Sequence, residues 1–169
     1  MIEPTVFNDD RGVFFESYKK NKLEEAVGRP IDFVQDNHSV SKNGVLRGLH
    51  FQVGEHEQSK LVRVAKGEVL DVAVDLRKDS DTFGQHYKVR LSDSNKKNLF
   101  IPKGMAHGFL ALSDEVIFAY KCDNYYHKTS ERGIVYNDNT LAIDWEYPLD
   151  RLVLSEKDRE LPSFKEVYP

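Results

Sequence analysis

A chain of 169 residues with a formal net charge of −4 is long enough to bury one core and too acidic to present a global basic field to nucleic acid. Hydrophobic residues make up 40% of it, yet no run approaches the roughly 18 consecutive apolar residues of a membrane-spanning helix. A lone Cys122 excludes an internal disulfide framework and fits a reducing cytoplasm, and the opening "MIEPTVFNDD" has neither the basic nor the apolar region of an export signal.

In chain order, "VFFESY" (13–18) predicts the first strand, and "KKNKLEEAVG" (19–28) about two helical turns that Gly28 stops. Strands then follow in "IDFVQDNHSV" (31–40), "GVLRGLHFQ" (44–52) and "KLVRVA" (60–65). "EVLDVAVDLR" (68–77) carries the clearest period of two: Leu70, Val72, Val74 and Leu76 share one face, and Asp71, Ala73, Asp75 and Arg77 the other. "HYKVRLS" (86–92), "NLFIP" (98–102), "HGFLAL" (107–112) and "EVIFAYKC" (115–122) continue the series, the last placing Tyr120 inward with Val116 and Phe118. Turn chemistry separates them at "KNG", "KG", "DSDTFG" and "PKG". Near the C-terminus Ser155 is positioned to cap one short helical turn in "SEKDRE". Many short strands and little helix predict a single all-β domain over 1–169, as an antiparallel sandwich, jelly roll or barrel.

Inward polar residues are then the ones that could carry chemistry. Arg47 and His50 stand three apart, so a regular strand would point them to opposite faces. Gly48 between them is where a bulge would bring both into one cavity; the plainer alternative is an outward Arg47 and a core His50. His107 opens an apolar strand after the Pro102–Gly104 turn, and Arg11 and Glu16 flank Phe14 and Phe15 as an ordinary salt bridge would. Gln35, Asp36, Asn37 and His38 make both faces of their strand polar, as at a sheet edge. Lys60 and Lys157 read as solvated, and Asp158 as part of a first helical turn. Together these residues supply a histidine, an aspartate, a tyrosine and a lysine, an inventory suited to moving protons beside a carbonyl.

The stretches "DDRGVFFESY", "FVQDNHSVSKNGVLRGLHFQ", "KLVRVAKGEVLDVAVDLRKDSDTFG", "IPKGMAHGFLALSDE", "YKCDNYY" and "LSEKD" closely resemble, in order and wording, the dTDP-4-dehydrorhamnose 3,5-epimerase family of sugar-nucleotide epimerases. The resemblance implies a metal-free, cofactor-free cupin-type jelly-roll barrel with a few short helices, a cytoplasmic homodimer acting on dTDP-4-dehydro-6-deoxy-D-glucose, with no nucleic-acid or membrane partner. It implies His50 as catalytic base supported by Asp158, Tyr120 as opposing acid, and Lys60 near the sugar ketone. Further substrate contacts implied are Arg11, Glu16, Gln35, Asn37, Arg47, His107, Glu131 and Lys157, with Tyr126 in the nucleobase platform. Metal-binding cupins generally carry His-x-His where this chain reads His50-Phe51-Gln52, with His56 farther on in a polar loop, which speaks against a metal. The chain begins near the family's first "EP", without its usual leading strand. The runners-up are an epimerase acting at C3 or C5 alone, a non-catalytic sugar-nucleotide binding module, and a metal-dependent cupin oxygenase.

Overall fold

Alternating apolar residues build two antiparallel sheets that face each other. The computed structural model describes residues 1–169. Strands β1 (Val6–Asp9) and β2 (Gly12–Phe15) form a separate hairpin, followed by helix α1 (Lys20–Val27). The helix ends where Gly28, at φ +76, returns its N–H to the Glu24 carbonyl, a left-handed cap only glycine takes without strain. Next come β3 (Gln35–Lys42), β4 (Leu46–Gln52), β5 (Lys60–Lys66), β6 (Glu68–Asp75), β7 (His86–Ser92), β8 (Asn98–Ile101), β9 (Met105–Ala111), β10 (Glu115–Cys122) and the three-residue β11 (Glu131–Gly133). One sheet runs β3-β10-β5-β8 and the other β11-β4-β9-β6-β7. Two face-to-face antiparallel sheets with few short helices are the jelly-roll barrel that the strand pattern and the resemblance led us to expect.

Two hydrophobic layers result. Val62, Val64, Val69, Leu91, Leu99, Phe109, Val116 and Phe118 pack between the sheets. On the outer face of the five-stranded sheet, Leu46, Leu70, Val72, Val74 and Leu110 meet Ile134, Trp145, Leu152 and Phe164 from the C-terminal segment. The alternating stretch 68–77 is therefore buried on both faces: Leu70, Val72 and Val74 look outward to that segment, while Ala73 and Asp71 look into the barrel. The C-terminal segment also carries α2 (Glu156–Arg159), capped as expected by Ser155, whose Oγ accepts from the Asp158 N–H, and α3 (Phe164–Val167).

Asp75, buried at the end of β6, organises the turn that follows. Its carboxylate accepts from Arg77 Nη2, Ser80 Oγ and Thr82 Oγ1, each at 2.6 Å. The Arg77 guanidinium holds this carboxyl far below the usual carboxylate range, with the two hydroxyls assisting. A folded-state pKa depressed below the unfolded value of about 3.9 gives stability that is complete above that pH and lost as pH falls toward the folded value. Asp75→Asn is thus expected to destabilise by about 2–4 kcal/mol at pH 7. The deficit should narrow at pH 3, and urea titrations at both values check it; equal deficits would refute the assignment.

Candidate active site

A bulge in β4 makes the site. Arg47 pairs with Phe109 and His50 with His107, so β4 gains one residue on β9 across this interval. The extra residue restores the parity that odd spacing breaks, and Arg47, His50, His107 and Phe109 all border the cavity between the sheets. Gly48 lies inside the bulge at φ +136, where a Cβ would stand 2.5 Å from the Gly108 Cα. Only glycine fits both the dihedral and the close approach. The Gly48–Leu49 peptide is cis.

The cavity has a volume of about 680 Å³. His50 and His107 stand on the wall made by the five-stranded sheet; Lys60, Tyr120 and Cys122 stand on the four-stranded sheet opposite. Gln35 and Asn37 enter from edge strand β3, and Ser155, Lys157 and Asp158 close one side. The polar edge strand is therefore real: alternate residues Gln35 and Asn37 face the cavity, while Asp36 pairs outside with Lys121 at 2.7 Å.

His50 Nε2 lies 2.7 Å from Asp158 Oδ1. Burial alone would raise the Asp158 carboxyl, but its bonds to His50 and Ser155 outweigh that and hold it below the usual range. An ionised Asp158 accepts from Nε2–H, which leaves the lone pair on Nδ1. That nitrogen has no hydrogen-bond partner, and Glu131 Oε1 lies 3.8 Å from it.

Across the cavity, burial pushes the Lys60 ammonium below the ordinary lysine value and the Tyr120 phenol above the ordinary tyrosine value. Lys60 Nζ stands 5.9 Å from the Tyr120 ring centroid. Reading Lys60 as solvated thus misjudged its surroundings: it heads a strand, but that strand is the barrel wall. Cys122, facing inward beside them, has its thiol pushed up to about 11 by burial and is an inert wall residue at neutral pH.

At the rim, Tyr126 is half exposed and its hydroxyl donates to Glu131 Oε2 at 2.8 Å; Lys157 Nζ meets the same oxygen at 2.5 Å. Gln35 Oε1 accepts from the Tyr126 N–H, and Gln52 Oε1 from the His127 N–H. Gln52 stands where metal-binding cupins carry a second histidine, and His56 stacks on His127 with ring centroids 3.9 Å apart. Arg47 is tethered through Nε to Ser41 Oγ.

Arg11 and Glu16 are placed elsewhere. Arg11 sits at the turn of the β1–β2 hairpin, 90% exposed and bound to Asp9, and Glu16 pairs with Lys19 and Lys22. The hairpin lies outside the two-sheet barrel, so neither residue borders this chain's cavity.

One buried partner escaped the sequence reading. Asp71, wholly buried, lies 2.9 Å from His107 Nε2, and its Oδ1 has no partner. The available signal was its position on the same face as Ala73, in a strand with no solvent-facing side.

Nearly the whole chain is similar to sugar-nucleotide epimerases. Residues 1–166 match the family model described as dTDP-4-dehydrorhamnose 3,5-epimerase. The dTDP-4-dehydrorhamnose 3,5-epimerase of Salmonella typhimurium is 56% identical over 163 residues, spanning 96% of this chain and 88% of that protein. A crystal structure of the Elizabethkingia anophelis dTDP-4-dehydrorhamnose 3,5-epimerase superposes with a TM-score of 0.94 at 53% identity, over 97% of this chain and 90% of that one. The Legionella pneumophila dTDP-6-deoxy-D-glucose-3,5-epimerase, solved in complex with dTDP-4-keto-L-rhamnose, gives 0.92 at 50% identity, over 96% and 86%.

Proposed function

This chain belongs to the dTDP-4-dehydrorhamnose 3,5-epimerase family, and from that premise we propose that its cavity converts dTDP-4-dehydro-6-deoxy-D-glucose to dTDP-4-dehydro-L-rhamnose. The observation that carries the mechanism is the placement of His50 and Tyr120 on opposing walls of one cavity. A hydrogen on a carbon beside a ketone is acidic because the electron pair left behind spreads onto the ketone oxygen as an enolate. His50 takes that proton on one face, with Asp158 fixing its tautomer and stabilising the imidazolium that forms. Lys60, a cation with no carboxylate bonded to it, stabilises the enolate oxygen. Tyr120 returns a proton to the same carbon from the other wall, inverting it, and repetition at the second carbon completes the isomerisation. Substrate and product are isomers, so the reaction balances without an oxidant or reductant.

Arg47, His107 and Lys157 supply cationic or hydrogen-bonding groups for the diphosphate and sugar, Gln35 and Asn37 hydrogen-bond the ligand, and Tyr126 stacks on the base. Arg11 and Glu16 enter through a homodimer. Phe7, Val13 and Phe14 of their hairpin are each more than half exposed, an apolar face that a second copy would cover. No helix is long and apolar enough to cross a membrane, and a nucleotide-sugar substrate supports a cytoplasmic enzyme.

Incubating the dTDP-4-keto sugar with the protein in D2O is expected to place deuterium at both C3 and C5, read by NMR. Label at one carbon alone would mark a single-site epimerase, and none at either would overturn the proposal.

A further inference from the structure

Two carboxylates, not one, face the ring of His50. Asp158 holds Nε2, while Glu131 presents Oε1 toward Nδ1 at 3.8 Å. The fold makes this arrangement deliberate at two points. In the β11–β4 ladder Gly133 stands opposite His50 and Glu131 opposite Gln52, so Glu131 is the diagonal neighbour of His50 on one face of the sheet. Gly133, the residue directly opposite, has no side chain to intervene. On the other flank, consecutive residues of α2 address the same pair: Asp158 bonds His50, and Lys157 bonds Glu131. The result is a closed circuit of alternating groups, Lys157–Glu131–His50–Asp158. Glu131 is largely withdrawn from water; burial alone would raise its carboxyl, but Lys157 and Tyr126 outweigh that and keep it below the usual range, hence charged.

Resting on the epimerase reading above, we infer that Glu131 is a positioning residue that acts through His50, supplying a second negative charge beside the nitrogen that receives the substrate proton. Its Oε2 is occupied by Tyr126 and Lys157, which fix the carboxylate so that Oε1 stays aimed at the ring. The proton leaving carbon lands on a ring flanked by two carboxylates, one at each nitrogen. The other charged or titratable groups around His50 are Lys157 and Tyr126 beside Glu131, Arg47 on the same strand, Lys60, Tyr120 and Cys122 across the cavity, and His107 on the adjacent strand, itself paired with Asp71. Of these Lys157 and Tyr126 touch Glu131, and Lys157, the cation of the two, tempers the effect and offers an independent handle on it.

The test is the pH dependence of kcat/KM for epimerisation, whose acid limb reports protonation of the base in the free enzyme. A nucleotide-sugar diphosphate has no ionisation near neutrality, so the limb belongs to the protein. Glu131→Gln keeps the hydrogen-bond acceptor for Tyr126 and removes the charge. It is expected to move the acid limb to lower pH by about one unit and to lower kcat more than it raises KM. Lys157→Met, at a side chain more than half exposed, should move the limb the opposite way by freeing Glu131 of its cation. A limb that stays in place in both variants while KM alone rises would overturn the inference and leave Glu131 a substrate ligand only. A lowered melting temperature with the limb unmoved would do the same and leave it structural. Failure of the epimerase reading looks different: the wild type itself then exchanges no solvent hydrogen. If Glu131→Gln does not fold, the Lys157→Met limb decides alone, because an unshifted limb there contradicts the circuit.

Discussion

His50→Ala is expected to lower kcat by about 10³–10⁴-fold while leaving the affinity for dTDP close to that of the wild type. The ring borders the cavity from the five-stranded wall but contributes to neither hydrophobic layer, so its loss removes the proton acceptor without opening the core. Asp158→Asn sharpens the test. The asparagine amide can donate to Nε2, which stabilises the tautomer protonated on Nδ1 and takes the lone pair away from the nitrogen that must accept the substrate proton. This near-isosteric variant is therefore expected to lose about 10²–10⁴-fold in kcat, no less than Asp158→Ala, in which the ring is free to choose its tautomer. Steady-state kinetics with the 4-keto sugar nucleotide, alongside dTDP titration calorimetry, separate the effects. Activity within tenfold of wild type in His50→Ala would remove it from the role of base.

Much of this site was legible in the sequence, and the residues that were not share a cause. Period two identified β6, β7 and β10, and it pointed Tyr120 inward correctly with Val116 and Phe118. Gly48 marked the bulge that reconciles Arg47 with His50, since a glycine in mid-strand signals either weakness or close approach, and here Gly108 passes against it. Alternation failed for Asp71. The pattern distinguishes two faces but not which is wet, and this strand has no wet face. It failed again for Glu131, whose three-residue strand is too short to show a period and is defined only by its pairing with β4. Lys60 was misread because a lysine at a strand start is ordinarily solvated; its withdrawal from water depends on the opposite sheet, which is non-local. The placement of Arg11 on an outlying hairpin and of Glu16 just after it, both away from the cavity, depends on where that hairpin stands relative to the two sheets, which no periodicity along the chain encodes.

Lys60 should show the clearest separation of activity from stability. Removing its charge with Lys60→Met is expected to lower kcat by about 10²–10³-fold, the usual loss when one group stabilising a developing oxyanion is deleted. The same change is expected to raise the melting temperature at pH 7. Burial lowers this ammonium's pKa in the folded state, so the folded protein binds fewer protons than the unfolded chain, and stability must rise with pH between the folded value and the ordinary one near 10.5. Below that interval the destabilising cost of holding the charge is fully present, and methionine removes it while conserving most of the stem's packing. Catalysis follows the opposite sign: it needs the protonated amine and should fade as pH rises through the lowered pKa. Tyr120, displaced upward, stays protonated through that range and does not set the limit. The alkaline limb of kcat/KM is therefore expected below 10.5 in the wild type and beyond the measurable range in Lys60→Arg, whose guanidinium does not deprotonate. An alkaline limb unchanged by the arginine would assign it to another group. A melting temperature lowered by methionine would show that the buried ammonium is held by more than the cavity's need for a cation.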